Sequence, residues 1–292
     1  MSSISKFNWS TPVDVGKSKV KVSFSCPMLI LGSCFADNVG SRMSAVGFDA
    51  LVNPLGTTYN PLSVADSLAR IASGEPFRSD ECVTIGAGDG RFCSFAHHTR
   101  NARPTVAEFL TDANSILSQV YEHWLKSRTL IVTLGTAWCF RLNSTGNVVS
   151  NCLKHLPSEF TRFRLSYDEC VSAVRRIVNL AEGRDVVFTV SPIRHKADGA
   201  HGNQLSKSTL LMAVDAVINE GLGNVDYFPS YEIMMDELRD YRFYADDMAH
   251  PSSLAESYIF DRFMDFALPD DERALLAGGV KRAKSAAHIK MS

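Results

Sequence analysis

The sequence predicts an α/β protein in which helices cover both faces of a mostly parallel central sheet. Two observations support this prediction. Five short apolar runs have the length of buried strands, and they lie at 28–31, 48–52, 129–134, 186–190 and 225–228. Segments with helical periodicity separate these runs, and parallel strands need crossover connections of about that length.

The first predicted strand leads directly into a helix. Apolar residues recur at helical spacing from Phe35 to Val46, and the pattern stops at Gly47. After the second strand, the segment 53–61 is rich in turn residues, and a helix is expected from there to about residue 73. The amino-terminal part therefore reads as strand, helix, strand and helix.

Capping patterns mark three later helices, because a hydroxyl residue followed three positions later by Glu can satisfy free backbone N–H groups. These pairs are Thr105 with Glu108, Ser166 with Glu169, and Ser253 with Glu256. The first of these helices should end near residue 126 and the last near residue 266. A further helix is expected around 210–218, and turn-separated runs at 82–95 and 138–149 predict two β-hairpins that decorate the sheet.

The chain has the size and composition of a folded α/β protein. Its 292 residues are 45% hydrophobic and 21% charged, which is ordinary for a globular chain with a sizeable core. We expect a single domain over residues 1–268, followed by a C-terminal tail at 269–292 that is either mobile or an edge helix. The oligomeric state stays open.

Charge and hydropathy exclude several classes of function. The net charge is −2, and no strong basic run precedes the last dozen residues, so nucleic acid is not an expected partner. No apolar stretch approaches the ~18 residues of a membrane span, and residues 1–9 lack the apolar block of a signal peptide. We therefore expect a cytoplasmic protein that does not bind membranes.

The seven cysteines are expected to be reduced thiols. Their number is odd and they lack C-x-x-C spacing, which argues against a disulfide framework or a zinc site. The histidines His97, His98 and His201 are too isolated to indicate a metal site. Neither a metal nor another cofactor is expected.

Two short segments carry the residue types of nucleophilic catalysis. Ser33 and Cys34 lie where the first strand gives way to a helix, where free N–H groups should lower a thiol pKa and hold an oxyanion. Asp247 and His250, three residues apart, could supply a base and the group that orients it. The alternatives are that Cys34 merely packs, that Ser33 caps the helix or is itself the nucleophile, and that Asp247 caps a helix.

The string Gly32-Ser33-Cys34-Phe35-Ala36 is the signature after which the GSCFA family is named. Other stretches that resemble this family occur in order along the chain, at 53–61, 133–138, 191–195, 227–232 and 247–252. The resemblance covers residues 27–266, which would form the core of the domain. The sequence is therefore identified as a member of the GSCFA family.

The family looks like a branch of the SGNH (GDSL-like) hydrolase superfamily. This resemblance implies a three-layer α/β/α sandwich of the SGNH-hydrolase or flavodoxin-like type, and acyl-ester chemistry. It implies that Cys34 stands where the superfamily has its nucleophilic serine, and that Asp247 and His250 match its closing Asp-x-x-His. The Gly-x-Asn block aligns with Gly135-Thr136-Ala137, which lacks the Asn that donates to the oxyanion. A family histidine is also displaced here, to His155.

The remaining candidates surround the expected catalytic triad. Oxyanion donors would be the Cys34 backbone together with Gly56, Thr57 or Thr136, although Gly56 could simply be a turn glycine. Thr57 also counts among the residues expected to bind substrate. The others are Tyr59 and Trp138 as walls of an acyl pocket, and Arg194, His195 and the adjoining Lys196 as an anion site. Ordinary packing and a solvated charge cluster are the structural alternatives.

These features favour an acyl-transfer enzyme, either an acyltransferase or an ester or thioester hydrolase, with a covalent acyl intermediate on Cys34. Its partners would be a small-molecule acyl donor and an acceptor, and a carrier-bound thioester is one form the donor could take. Two alternatives stay open. The fold could serve as a non-catalytic binding or scaffold module, or the enzyme could add or remove carbohydrate O-acyl esters.

Overall fold

The computed structural model describes residues 10–291, so the expectation for residues 1–9 lies outside the described residues. The strands are β1 (Met28–Gly32), β2 (Ala50–Val52), β3 (Val83–Thr84), β4 (Phe92–Cys93), β5 (Thr129–Leu134), β6 (Trp138–Leu142), β7 (Val148–Val149), β8 (Phe160–Arg164), β9 (Asp185–Val190) and β10 (Val225–Tyr227). The helices are α1 (Cys34–Val46), α2 (Pro61–Ser73), α3 (Val106–Lys126), α4 (Tyr167–Leu180), α5 (Gly199–Asn219), α6 (Ser230–Glu232), α7 (Ser253–Ala267) and α8 (Arg273–Met291). None of the helices in this part of the chain is both long and apolar enough to cross a membrane.

The central sheet has five parallel strands in the order β10-β9-β5-β1-β2. Counted among themselves in chain order, these strands read 2-1-3-4-5 from one edge, which is the order of flavodoxin-like sheets. The direction of winding reverses between β1 and β5. In such sheets ligands bind at the carboxyl ends of the strands beside this reversal point.

Helices cover both faces of the sheet, so the predicted α/β sandwich is confirmed. Side chains alternate along β1: Leu29 and Leu31 pack on one side with α2 to α5, whereas Met28 and Ile30 pack on the other side with α1 and α7. All five residues of β1 are buried. This two-sided burial explains why the central strands read as continuous apolar runs.

The junction of β1 and α1 depends on a close approach between two strands. Gly32 has φ +135°, and a Cβ atom there would lie 2.1 Å from the carbonyl oxygen of Thr133 in β5. The Ser33 amide donates to that same carbonyl at 3.0 Å. A glycine is therefore required, and Cys34 becomes the first residue of α1 at the carboxyl edge of the sheet.

A small antiparallel sheet in the order β7-β6-β8 lies outside the main one. The predicted hairpins are confirmed, both in β3 and β4 and in β6 and β7. The strand β8 was not predicted. Its sequence, FTRFR, has two arginines and lacks the apolar alternation that indicates a half-buried strand. Arg162 lies over the Trp138 ring with its guanidinium carbon 4.0 Å from the ring centroid, so it packs as an aromatic partner.

Of the three helix starts predicted from capping patterns, two are confirmed and one is displaced by a single residue. Ser166 and Glu169 form the full capping box, and Thr105 accepts from the Glu108 amide. The last predicted cap is wrong by one residue, because Ser252 and not Ser253 accepts from the Ala255 amide. Only Ser253 has a Glu three residues later, but Ser252 has the extended backbone of an N-cap and therefore starts the helix.

Of the two alternatives for the segment after residue 268, the described residues form the edge helix α8. Leu276 and Val280 of α8 pack against the apolar core around α1. At Gly279 the two helices approach so closely that a Cβ atom would lie 2.0 Å from the carbonyl oxygen of Val46. At the neighbouring Gly278 a Cβ atom would meet only the flexible end of Arg282, at 3.4 Å.

We predict that Gly279→Ala destabilises the protein by about 1–3 kcal/mol, because the added methyl group forces α8 away from α1. Gly278→Ala is the matched control in the same helix, and it should be neutral or stabilise by up to ~1 kcal/mol through helix propensity. Urea unfolding of both variants measures the difference. Equal stabilities would contradict the packing of α8 against α1.

Candidate functional site

A cavity of about 550 Å³ opens at the carboxyl edge of the sheet, beside the reversal point between β1 and β5. We call it the Cys34 cavity. Its walls come from the start of α1, the loops after β2, β5 and β9, the small sheet and the loop before α7. The lining residues are Cys34, Tyr59, Asn60, Thr136, Trp138, Phe140, Val149, Ser150, Cys152, Arg162, Ile193, Arg194, His195, Lys196, Ala197, Asp198 and His250.

Cys34 and His250 share this cavity although 216 positions separate them in the chain. The His250 Nδ1 atom lies 2.5 Å from a carboxylate oxygen of Asp247. The other Asp247 oxygen accepts from the amides of Ala249 and His250, both at 2.9 Å. These bonds hold the pKa of the Asp247 carboxyl well below its usual range, so it remains an anion that can orient the imidazole.

The loop that carries this pair is folded tightly. The Ala245 amide donates to the His250 carbonyl at 2.8 Å, and Met248 adopts a left-handed conformation with φ +55°. This hydrogen bond and the left-handed residue together bring Asp247 and His250 close within one turn. The thiol of Cys34 makes no hydrogen bond to His250 or to any other side chain in the described part of the protein.

The expected low pKa of the Cys34 thiol is wrong. Burial raises this pKa, and the nearby Asp37 carboxylate raises it further. The amides of Cys34 and Phe35 and the cation of Lys207 lower it, but their combined effect is smaller. Asp37 is held in place by the Asn53 amide at 2.8 Å and the Thr57 hydroxyl at 3.1 Å.

Ser33 does not line the Cys34 cavity. Its side chain is buried, and its Oγ atom lies 3.2 Å from Oγ1 of Thr133. The residue occupies the N-cap position of α1, but its side chain makes no capping hydrogen bond. The hydroxyl therefore links α1 to β5, and of the two candidate nucleophiles only Cys34 faces the cavity.

The candidate oxyanion donors Gly56 and Thr136 are already engaged. The Gly56 amide donates to the Asn53 carbonyl at 2.9 Å, and this residue lies outside the cavity lining, as a turn glycine. The Thr136 amide donates to the Tyr59 carbonyl at 2.9 Å, and its hydroxyl lies 3.0 Å from that of Ser206. Thr57, which donates to Asp37, lies outside the lining as well.

The family assignment rests on most of the chain. A comparison with the sequence profiles of known families matches residues 27–263 to the GSCFA family. The chain belongs to the GSCFA family. No curated protein matches it.

The GSCFA protein has an oxyanion-donor candidate that sequence reasoning missed. Asn60 is buried and lines the Cys34 cavity. Its Oδ1 accepts from the Ser63 amide at 2.9 Å and caps α2, whereas its Nδ2 has no hydrogen-bond partner among the described residues. The sequence signal was an Asn directly before Pro61, a typical start of a helix at the carboxyl edge of a sheet.

Tyr59 and Trp138, which were expected to form walls of an acyl pocket, both line the cavity. Tyr59 is 38% exposed, and Trp138 is partly covered by Arg162. The displaced His155 lies elsewhere: it contacts Glu159 and the Thr84 carbonyl and connects the two hairpins. No group of three or more His, Cys, Asp or Glu side chains in the described part of this GSCFA chain could hold a metal ion.

Lys207 is a buried cation beneath the site that sequence reasoning also missed. Its ammonium donates to the carbonyls of Gly135 at 2.7 Å and Ser191 at 2.8 Å, and to the Ser191 hydroxyl at 3.2 Å. These bonds tie together the loops after β5 and β9, which form two walls of the cavity. In the sequence, Lys207 is in register with the apolar face Leu210, Val214 and Val217 of α5, which was the available signal.

His195 also lies in the cavity wall. Burial and the neighbouring Lys207 lower its pKa to about 4, so the imidazole is neutral at physiological pH. Its Nε2 atom is buried and has no hydrogen-bond partner among the described residues. At neutral pH, His195 therefore adds no charge to the anion site expected around residues 194–196.

We predict that alkylation of Cys34 by iodoacetamide rises with pH around a midpoint above that of glutathione in the same buffer, because burial and Asp37 disfavour the thiolate. Asp37→Asn should lower this midpoint, since it removes the carboxylate. Asp49→Asn, at the opposite edge of the sheet, is the control. Peptide mass spectrometry resolves Cys34 from the other six cysteines, and a midpoint below that of glutathione would contradict the prediction.

We predict that Lys207 makes stability increase with pH in a defined window. Burial lowers its pKa from 10.5 to about 7, so between these values the unfolded chain binds more protons than the folded one. Folding therefore gains up to ~1.4 kcal/mol per pH unit as pH rises through the window. Urea unfolding at pH 7 and 9 should show this gain relative to Lys207→Met.

The control for that measurement is Lys126→Met, which removes an exposed lysine at the end of α3. This variant should keep the pH dependence of the parent protein. If Lys207→Met also keeps it, the Lys207 ammonium does not titrate in a buried environment.

Proposed function

We propose that this GSCFA protein is an acyl-transfer enzyme that forms a thioester on Cys34. The observation that carries the proposal is the placement of Cys34 and His250 in one cavity, with Asp247 supporting the histidine. A nucleophile, a base and an orienting carboxylate are the minimum set for covalent acyl transfer. The aromatic and aliphatic side chains of the cavity suit an acyl chain.

The order of these groups supports a relationship to the SGNH hydrolases. The nucleophile candidate follows the first strand, the Asp-x-x-His pair directly precedes α7, and the sheet has the 2-1-3-4-5 order. We infer that Cys34 takes the place of the serine used in that superfamily. Asn60, which lies at the end of the loop after β2, would supply the side-chain amide that donates to the oxyanion and is missing at Ala137.

The first half-reaction needs His250 as an active base, since the free thiol holds its proton tightly. His250 accepts the thiol proton while the sulfur forms a bond to the acyl carbonyl carbon. The carbonyl electron pair moves onto oxygen, where the Cys34 amide and Asn60 Nδ2 can donate hydrogen bonds. Collapse breaks the bond to the leaving group, which takes the proton from His250 and leaves a thioester.

The second half-reaction releases the acyl group to water, an alcohol or an amine. His250 accepts a proton from this acceptor as it attacks the thioester carbonyl, and then returns a proton to the departing Cys34 sulfur. The partners are thus a small-molecule acyl donor and an acceptor. We place the reaction in the cytoplasm, a proposal that the seven free cysteines support.

The raised pKa of Cys34 favours a second candidate function, a non-catalytic module that binds acylated ligands in the same cavity. A thiol that is neither ionised nor hydrogen-bonded to its base has the properties of a packing cysteine. This candidate differs from the enzyme in one measurable respect. Acyl compounds would protect Cys34 from alkylation but would never acylate it.

We predict that p-nitrophenyl butyrate acylates the protein once, on Cys34, as read by intact and peptide mass spectrometry. Cys34→Ala should abolish the adduct. His250→Ala should slow its formation by about 100-fold through loss of the base. Asn60→Ala should slow it by about 100-fold through loss of an oxyanion donor.

Cys152→Ala is the matched control, because Cys152 is the other thiol of the same cavity. This variant should be acylated at the rate of the parent protein. An adduct that survives Cys34→Ala would refute the assigned nucleophile. Protection of Cys34 by the ester without any adduct would favour the binding module.

A further inference from the structure

We infer that the acyl donor of this protein is an amphiphilic anion: Arg194 binds its carboxylate or phosphate, and a second cavity takes an apolar part of the same molecule. This inference rests on the proposed function, because it names the substrate class of that site. Three observations carry it, namely the unpaired charge of Arg194, its position between two cavities, and the composition of the second cavity.

Arg194 is a half-buried cation without a carboxylate partner among the described residues. Its Nε atom donates to the Tyr244 hydroxyl at 3.3 Å, and one Nη atom lies 3.0 Å from the Met235 sulfur. The other two arginines that line these cavities do have carboxylate partners: Arg162 pairs with Asp198, and Arg239 pairs with Asp236. A partly desolvated guanidinium is stabilised when an anion completes its hydrogen bonds.

Arg194 lines both the Cys34 cavity and a second cavity of about 510 Å³, so the two are neighbours. Its backbone amide donates to the Ala249 carbonyl at 3.1 Å, which ties it to the loop of Asp247 and His250. Met248 of that loop lines the second cavity. An anion on Arg194 would therefore lie beside the catalytic loop, between an acyl group near Cys34 and whatever fills the second cavity.

The second cavity, which we call the methionine cavity, has a mixed wall in which three methionines and Leu238 form an adaptable apolar part beside charged residues and tyrosines. Its lining residues are Arg194, Met234, Met235, Leu238, Arg239, Asp240, Tyr241, Tyr244 and Met248. The unbranched methionines can adjust to an irregular apolar shape. Part of the wall is a π-helical turn at Ile233–Glu237, an irregularity that is frequent at functional sites. The cavity thus suits an apolar group that continues from the anion.

The charge of the ligand can be tested by alkylating Cys34 with two reagents that differ mainly in charge, iodoacetate and iodoacetamide. Relative to glutathione, the parent protein should favour iodoacetate by about fivefold, the range expected for a partly exposed charge pair. Arg194→Met should remove this preference, and Arg194→Lys should keep part of it. Arg176→Met is the control, because Arg176 is an exposed arginine that pairs with Asp66, and both residues lie outside the two linings.

The same labelling reaction tests the apolar part. Octanoate and octyl phosphate should each protect Cys34 from iodoacetamide better than acetate, inorganic phosphate or octanol, and the stronger of the two identifies the anion. Leu238→Ser should weaken protection by the octyl compounds but leave the iodoacetate preference unchanged. Alkylation does not require turnover, so these outcomes stand apart from those of the acylation experiment.

Four results would overturn the inference. An iodoacetate preference that survives Arg194→Met, or that disappears only in Lys196→Met, would place the anion elsewhere on the rim. Protection by octanol equal to that by octanoate would remove the need for an anion, and protection by acetate equal to that by octanoate would remove the apolar part.

Discussion

The site depends on the close contact between β1 and β5 at Gly32 and Thr133. Because residue 32 lacks a Cβ atom, the Ser33 amide reaches both the carbonyl and the hydroxyl of Thr133 at 3.0 Å. This contact ends β1 and starts α1 at the point where the sheet reverses its winding. The amides of Cys34 and Phe35 at the start of α1 then lie close to the Cys34 sulfur, and Cys34 lines the cavity.

A buried lysine and a carboxylate act in opposite directions on the Cys34 thiol in this cavity. Lys207 is fully buried and donates to neutral oxygens, and both Lys207 and the Asp37 carboxylate are close enough to shift the pKa of Cys34. The carboxylate and burial prevail, so the resting thiol is protonated. The reactivity proposed for Cys34 therefore depends on His250 accepting a proton during the attack, and Asp247 supports this role by holding the imidazole at 2.5 Å. Arg194 adds a cation that has no carboxylate partner in the described part of the chain.

Local patterns predicted most of the fold, because they depend on backbone groups close in sequence. The helix starts at Thr105 and Ser166 and the span of β5 follow from capping and from β-branched runs. The strand β8 was missed, since its Arg162 is stabilised by stacking on Trp138 and Phe140 of β6, residues that are distant in the sequence. The packing of α8 was undecided for the same reason, as Gly279 is explained only by the distant Val46 carbonyl.

The sequence by itself determined the parallel α/β fold, the GSCFA family and the candidate site residues Cys34, Asp247 and His250, since periodicity and short motifs carry that information. Tertiary structure decided which groups remain available for chemistry. It engaged the amides of Gly56 and Thr136 and turned Ser33 inward. It left Asn60 Nδ2 without a hydrogen-bond partner among the described residues, and it reversed the expected shift of the Cys34 pKa. Hydrogen-bond partners and burial are set by residues far apart in the chain, and no local pattern records them.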